Sequence, residues 1–235
     1  MIIRSCFGWF KRRLFGSIER PMKVWTGAFR GLHMTLDPKH QSQYILGLHE
    51  REVHRWLRPL CDGAATAIDI GAASGEYTLY FLKKTTLSKV FTFDPDDISR
   101  EQFVNNMALN GLSESSRLQT SSKFVSSIAS ENTVTLDGLM VNMMLPCAIK
   151  MDVDGGEVDI LKGATQLLAT GKTRWLIETH SGELEQECEA ILTQAGYKVT
   201  IIKNAWWRFF VPEQRPIEHN RWLVAFPNPT PPTAS

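Results

Sequence analysis

Two spacings of apolar residues alternate along the chain. The runs TAIDIGA (66–72), KVFTFDP (89–95), AIKMDVD (148–154) and RWLIETH (174–180) are short and almost continuously apolar. Between them, EYTLYFLKK, REQFVNNMALNG and EVDILKGATQLLATG carry apolar residues three and four apart. Strands buried on both faces and separated by amphipathic helices predict a doubly wound, mainly parallel α/β sheet. Ser99 with Gln102 reads as a capping box, and Gly111, Gly171 and Gly196 stand where helices should stop. Two further runs, YKVTIIK (197–203) and NRWLVAFP (220–227), predict a closing antiparallel pair.

With 235 residues, the chain can build one large domain with a substantial core. The pattern divides it into a helical extension over residues 1–60, packed on or near the core, an α/β domain over 61–227 and a disordered Pro-rich tail over 228–235. A formal charge of +1 gives no global field that would favour nucleic acid, and no basic stripe interleaved with aromatics runs along the core. Nucleic acid is therefore not the expected partner. Cys6, Cys61, Cys147 and Cys188 are widely spaced, without zinc or disulfide-framework spacing, and read as reduced thiols of a cytoplasmic protein. The N-terminal segment mixes aromatics with Arg4, Lys11, Arg12 and Arg13. Its basic cluster breaks the apolar stretch a secretory signal needs. Packing on the domain is the preferred reading, and a peripheral membrane contact is the alternative. No apolar run reaches the length that spans a bilayer.

A doubly wound sheet binds ligands outside the carboxyl ends of its strands. The first strand ends in AIDIGAASGEY and the second in FTFDPD. Gly71 and Gly75, with Ala72, Ala73 and Ser74 between them, give a tight turn into a helix whose free N–H groups can face a ligand. Asp94 follows Gly71 at close to the roughly 20-residue offset at which an acidic residue meets ribose hydroxyls. The three-glycine fingerprint of a dinucleotide site is absent, which argues against a nicotinamide oxidoreductase. Asp69, two residues before the turn, suits a ligand carrying a sulfonium and an ammonium better than a pyrophosphate.

These segments, together with TLDGL (135–139), IKMDVDGGEVDILKGA and IETH, resemble the FkbM-type class I methyltransferases in order and spacing over about residues 44 to 203. The resemblance implies a seven-stranded Rossmann-like methyltransferase sheet with a closing antiparallel strand. It also implies S-adenosylmethionine as donor and a hydroxyl on a sugar, glycan or secondary metabolite as acceptor. It places Asp69, Gly71, Ala72, Gly75, Tyr77, Asp94 and Pro95 at the donor. Ala73 stands where many such enzymes carry a further glycine, and Gly156 where the family more often has a bulky residue.

In strands, alternate side chains share a face, so Lys150, Asp152 and Asp154 should gather with Glu178 and His180 above the sheet. His180 is the expected base, a role for which imidazole is suited near neutrality. Glu178 is its expected orienter or an acceptor ligand, and Asp152 an acceptor-positioning group or alternative base. Lys150 completes the catalytic set or neutralises Asp152. Asp154 with Glu157 reads equally as a helix N-cap pair. A divalent metal held by Asp152, Asp154, Glu178 and His180 is the less favoured alternative, and no metal is assigned. The aromatic stretch NAWWRFFVPEQRPIEH (204–219) offers Trp206, Trp207 and Arg208 as an acceptor lid, with packing at the domain edge as its rival. The competing reading of the whole chain is a catalytically inactive S-adenosylmethionine- or nucleotide-binding module, which would keep the donor turn and lose the polar strand ends.

Overall fold

The computed structural model describes residues 18–209, 219 and 221–228. The chain opens with an antiparallel hairpin, β1 (Arg20–Lys23) and β2 (His33–Leu36), followed by helices α1 (Ser42–Leu46) and α2 (His54–Cys61). Then come β3 (Thr66–Ile70), α3 (Glu76–Lys84), β4 (Lys89–Phe93), α4 (Asp97–Leu109) and β5 (Leu118–Ser121). A short parallel pair, β6 (Phe124–Val125) and β7 (Thr133–Val134), leads to α5 (Leu136–Leu139). The last part holds β8 (Cys147–Met151), α6 (Glu157–Lys162), α7 (Thr165–Ala169), β9 (Thr173–Thr179), α8 (Gly182–Gln194), β10 (Tyr197–Ile202) and β11 (Arg221–Pro227).

Seven strands form the main sheet in the order β10-β11-β9-β8-β3-β4-β5. Only β11 is antiparallel to its neighbours, and it lies between β9 and β10 rather than at the edge. The expected antiparallel pair thus closes one edge of the sheet, with β11 against β9 and β10 outermost, and β10 runs parallel to β9. Its carboxyl end delivers the chain to the same side as the other strand ends.

Alternation along the strands divides the core in two. One face gathers Ala67, Val90, Ala148, Leu176 and Val224 with Tyr77, Phe81, Phe103 and Met107. The other gathers Ile68, Ile70, Phe91, Ile149, Trp175 and Ile177 with Leu161, Leu167 and Leu192. The first face is completed by Val24, Phe29, Leu32, Met34, Ile45, Val53, Leu57 and Leu60. The segment expected to be a helical extension is thus part hairpin and part core. Residues 1–17 and 229–235, including the basic segment, Cys6 and most of the expected tail, lie outside the described residues.

Helix ends follow local chemistry. Gly111, Gly171 and Gly196 take left-handed φ just beyond α4, α7 and α8, as expected of C-terminal glycines. The cap of α4 differs from the expected box: Asp96 accepts from Ser99 N at 2.7 Å, so the helix starts before Ser99. Cys61, Cys147 and Cys188 are buried and unpaired, and burial raises all three thiols. Among the described residues no helix is long and apolar enough to cross a membrane.

Candidate active site

The turn after β3 is built by left-handed backbone at Gly71 (φ 71), Ala73 (φ 45) and Gly75 (φ 87). A Cβ on Gly71 would stand 1.8 Å from the Asp152 carbonyl oxygen, so glycine is required where the turn packs on the end of β8. Ala73 holds a conformation costing roughly 1–2 kcal/mol for a residue with a side chain. That strain is offset by its N–H, which donates to Asp94 Oδ2 at 2.6 Å. Asp96 N donates to Asp94 Oδ1 at 2.9 Å. Asp94 thus ties the turn to the end of β4, and each oxygen keeps a second lone pair for a ligand hydroxyl.

Between these ends lies a cleft of about 500 Å³. Gly71, Ala73, Asp94, Pro95 and Asp152 line it, as do Gly156 and, from beyond β5, Lys123, Phe124 and Val125. Four carboxylates (Asp94, Asp96, Asp152, Asp154) face it against one lysine, a donor set that fits a cationic nucleoside and not a pyrophosphate. The Lys123–Val125 wall is not legible in the sequence because the preceding strand, LQTS, is too polar to announce itself. Gly156 leaves room in this cleft, since a Cβ would meet only Val153 Cγ2 at 3.5 Å.

Asp69 and Tyr77 stand behind the turn and do not line the cleft. Asp69 is fully buried, accepts from Thr78 Oγ1 at 2.6 Å and lies 3.5 Å from Lys150 Nζ. Burial pushes its carboxyl upward, against the pull of Lys150 and Thr78. Lys150 in turn donates to the Gly71 carbonyl at 2.7 Å. Its place is under the turn, as a support, and it reaches Asp152 Oδ2 only at 3.5 Å.

The expected polar gathering at the ends of β8 and β9 is present, with a different internal order. One ligand-type atom from each of Asp152, Glu178 and His180 lies within 4.8 Å of the others. His180 Nε2 is 3.6 Å from Asp152 Oδ1, 3.6 Å from Asp154 Oδ1 and 3.9 Å from Glu178 Oε2. The residue that orients the ring is Glu157, whose Oε1 accepts from Nδ1 at 2.7 Å and which is fully buried. Glu178, the expected orienter, instead faces Nε2. The N-cap pair is not formed: α6 begins at Glu157 with no side-chain cap. The hydrogen bond to Glu157 raises the His180 imidazole, with burial opposing and Asp152 assisting. Burial first, then the charge of Asp152, pushes Glu178 up to about 11.

A second polar group adjoins the turn and was not foreseen. His49 Nε2 lies 2.8 Å from Glu50 Oε1 and 3.7 Å from Glu76 Oε2, and its ring stacks on Tyr44. The Tyr77 hydroxyl donates to Glu50. Burial raises Glu76 to about 8 despite His49 and Lys150, with Glu50 and Asp69 adding to the rise. Burial also works against Glu50, but His49 and Tyr77 bring it down to about 2. The charged run HERE (49–52) was the signal available in the sequence. A carboxyl whose folded pKa exceeds its unfolded value keeps a proton that the unfolded chain has released, so stability falls as pH rises through that window. For Glu76 the window runs from 4.5 to about 8. Glu76→Gln should therefore melt several degrees above wild type at pH 8 and close to it at pH 4.5, measured by thermal unfolding.

In the aromatic segment, Arg208 is paired within the protein. Its Nε and Nη2 donate to Glu52 Oε1 and Oε2 at 2.8 and 2.6 Å, and Gln43 takes Nη1 at 3.3 Å. This fork clamps the segment to the N-terminal region and occupies the group expected to meet an anionic acceptor. Trp206 is 81% exposed. The Trp207 and Phe209 side chains, Phe210, Pro212 and Pro216 lie outside the described residues.

A family model for the methyltransferase FkbM domain matches residues 69–199, more than half of the chain. The chain belongs to the FkbM methyltransferase family. The match runs from Asp69 in β3 to Val199 in β10, and so takes in the turn, Asp94 and the His180 cluster. No curated protein sequence matches the chain. Among solved structures, the FkbM methyltransferase from Methylobacillus flagellatus KT aligns with a TM-score of 0.55 at 18% identity, over 69% of this chain and 44% of that one. The chain thus spans less than half the length of that protein. A precorrin-6y C5,15-methyltransferase from Geobacter metallireducens GS-15 aligns at 0.51 with 11% identity, over 76% and 88% of the two chains. An rRNA methylase from Streptococcus thermophilus aligns at 0.51 with 14% identity, over 75% and 95%. These likenesses show the shared methyltransferase fold.

Proposed function

We propose that this FkbM-family chain transfers a methyl group from S-adenosylmethionine to a hydroxyl oxygen of a sugar, glycan or other small metabolite. The observation that carries the reading is the meeting of two sites: the acidic cleft closed by Asp94, and the Asp152–Glu178–His180 cluster that shares Asp152 with it. An inactive binding module would have no use for the second.

Gly71, Ala73, Asp94, Pro95 and the Lys123–Val125 wall would hold the donor. Bound there, the donor supplies a methyl carbon already activated by its sulfonium. The protein's part is to align an acceptor oxygen with that carbon, and alignment can contribute roughly 7–11 kcal/mol at its upper range. The Asp152–Glu178–His180 cluster would take up the proton that the acceptor hydroxyl loses on methylation. Glu157 keeps the imidazole turned so that Nε2 faces the acceptor side. Trp206, exposed at the end of β10, offers an aromatic wall for the apolar face of a sugar.

The donor half is tested by calorimetry. Asp94→Ala removes two charge-assisted hydrogen-bond sites, so S-adenosylmethionine affinity should fall by roughly 1.5–3 kcal/mol, about 10- to 150-fold. Unchanged affinity in a folded variant would refute the nucleoside site.

A further inference from the structure

We propose that Asp152, Glu178 and His180 bind a divalent cation, with Asp154 able to supply a fourth ligand. The inference rests on the methyl-transfer reading for its purpose, but not for its test.

The spacing is that of ligands around one ion. Two donors each about 2.1 Å from an ion stand roughly 3.0 Å apart at right angles and about 4.2 Å apart when opposite. His180 Nε2 is separated from Asp152, Asp154 and Glu178 oxygens by 3.6, 3.6 and 3.9 Å. These are too long for hydrogen bonds and fall inside the range an ion would bridge.

Two independent observations point to a missing partner. Glu178 is only 5% exposed; its carboxyl is turned toward His180 and meets the Asp152 carboxyl, so two acidic groups face each other there and, among the described residues, no N–H donates to Glu178. Glu157, fully buried, holds Nδ1 at 2.7 Å. A carboxylate on the far nitrogen is the arrangement that fixes the tautomer and ring angle of a metal-binding histidine.

The nearby cation, Lys150, is shared between the turn and one oxygen of Asp152. Lys150 Nζ donates to the Gly71 carbonyl and sits between Asp69 Oδ1 and Asp152 Oδ2. Asp152 therefore divides its work, with Oδ2 toward lysine and Oδ1 toward the histidine. A carboxylate and imidazole set suits manganese, magnesium or iron(II) rather than a thiolate-seeking ion. Beside the turn, such an ion would hold an acceptor hydroxyl and make its proton easier to lose. Vicinal oxygens, as on a sugar, would be taken as a chelating pair.

The full chain, stripped with chelator and dialysed, is titrated with manganese(II) without donor or acceptor, and bound metal is counted by electron paramagnetic resonance. One ion per chain is expected. Glu178→Gln and Asp152→Asn, nearly isosteric changes, should each weaken binding at least about tenfold, and Glu157→Gln by about 10- to 100-fold with every ligand present. Asp137→Asn, a helix-capping change remote from the cluster, should leave it unchanged. If a cluster variant fails to fold, spin-echo modulation from one directly bound nitrogen in the wild-type protein decides the matter. No bound manganese, binding indifferent to the cluster variants, or no nitrogen coupling would each overturn the proposal. Because no methyl group moves in this experiment, a negative result leaves the hydroxyl reading standing, and bound metal without transfer to a hydroxyl would leave only the metal site.

Discussion

His180→Ala should lower turnover by about 10²-fold or more, the range of a positioned acid–base or metal-holding group, with donor affinity nearly constant. The separation of effects follows from geometry. The cleft is lined by the β3 turn, the end of β4 and the loop after β8, and His180 is not among its walls. Its ring is held at Nδ1 by Glu157 and faces three carboxylates at Nε2. Calorimetry with S-adenosylmethionine and steady-state kinetics on the same preparation separate the two quantities. Glu157→Gln should show an intermediate loss in kcat, since an amide can still accept from Nδ1 without the charge. Full turnover in His180→Ala would remove the cluster from the reaction.

The second large effect is expected at Gly71. Gly71→Ala forces a side chain into left-handed backbone, at roughly 1–2 kcal/mol, and into the Asp152 carbonyl 1.8 Å away, for which overpacking adds about 1–3 kcal/mol. A chain of this size should lose about 4–20 °C in Tm, and donor binding should fall with it because the turn and the end of β8 must separate. Gly111→Ala is the control. Its φ is 69, but nothing lies within 4 Å of the added carbon, so only the backbone strain should register. Equal losses at both positions would show that the contact between turn and strand end is unimportant.

Much of this site was legible because strand ends in a doubly wound sheet are also where ligands go. The turn, Asp94 and the meeting of Asp152 with Glu178 and His180 follow from alternation and from the order of the strands. The orienter of His180 was not legible. Glu157 occupies the position of a helix-capping acid, and only the approach of β9 to α6 reveals that its partner is an imidazole. The Glu52–Arg208 clamp joins residues 156 apart, beyond the reach of any local pattern. His49 and Glu50 were hidden by the same limit, since a hairpin and two short helices that complete one face of the sheet look from sequence like an appendage. The position of β11 between β9 and β10 depends on which strand edge remains open, which periodicity does not encode.

The most direct measurement is incubation of the purified chain with methyl-labelled S-adenosylmethionine and a glycan, lipid and small-metabolite extract, followed by identification of the labelled product. The hydroxyl-transfer account predicts label in an alkali-stable methyl ether on a sugar or small metabolite, absent with His180→Ala. Label confined to protein or nucleic acid, or donor bound with no label transferred from any fraction, would contradict it.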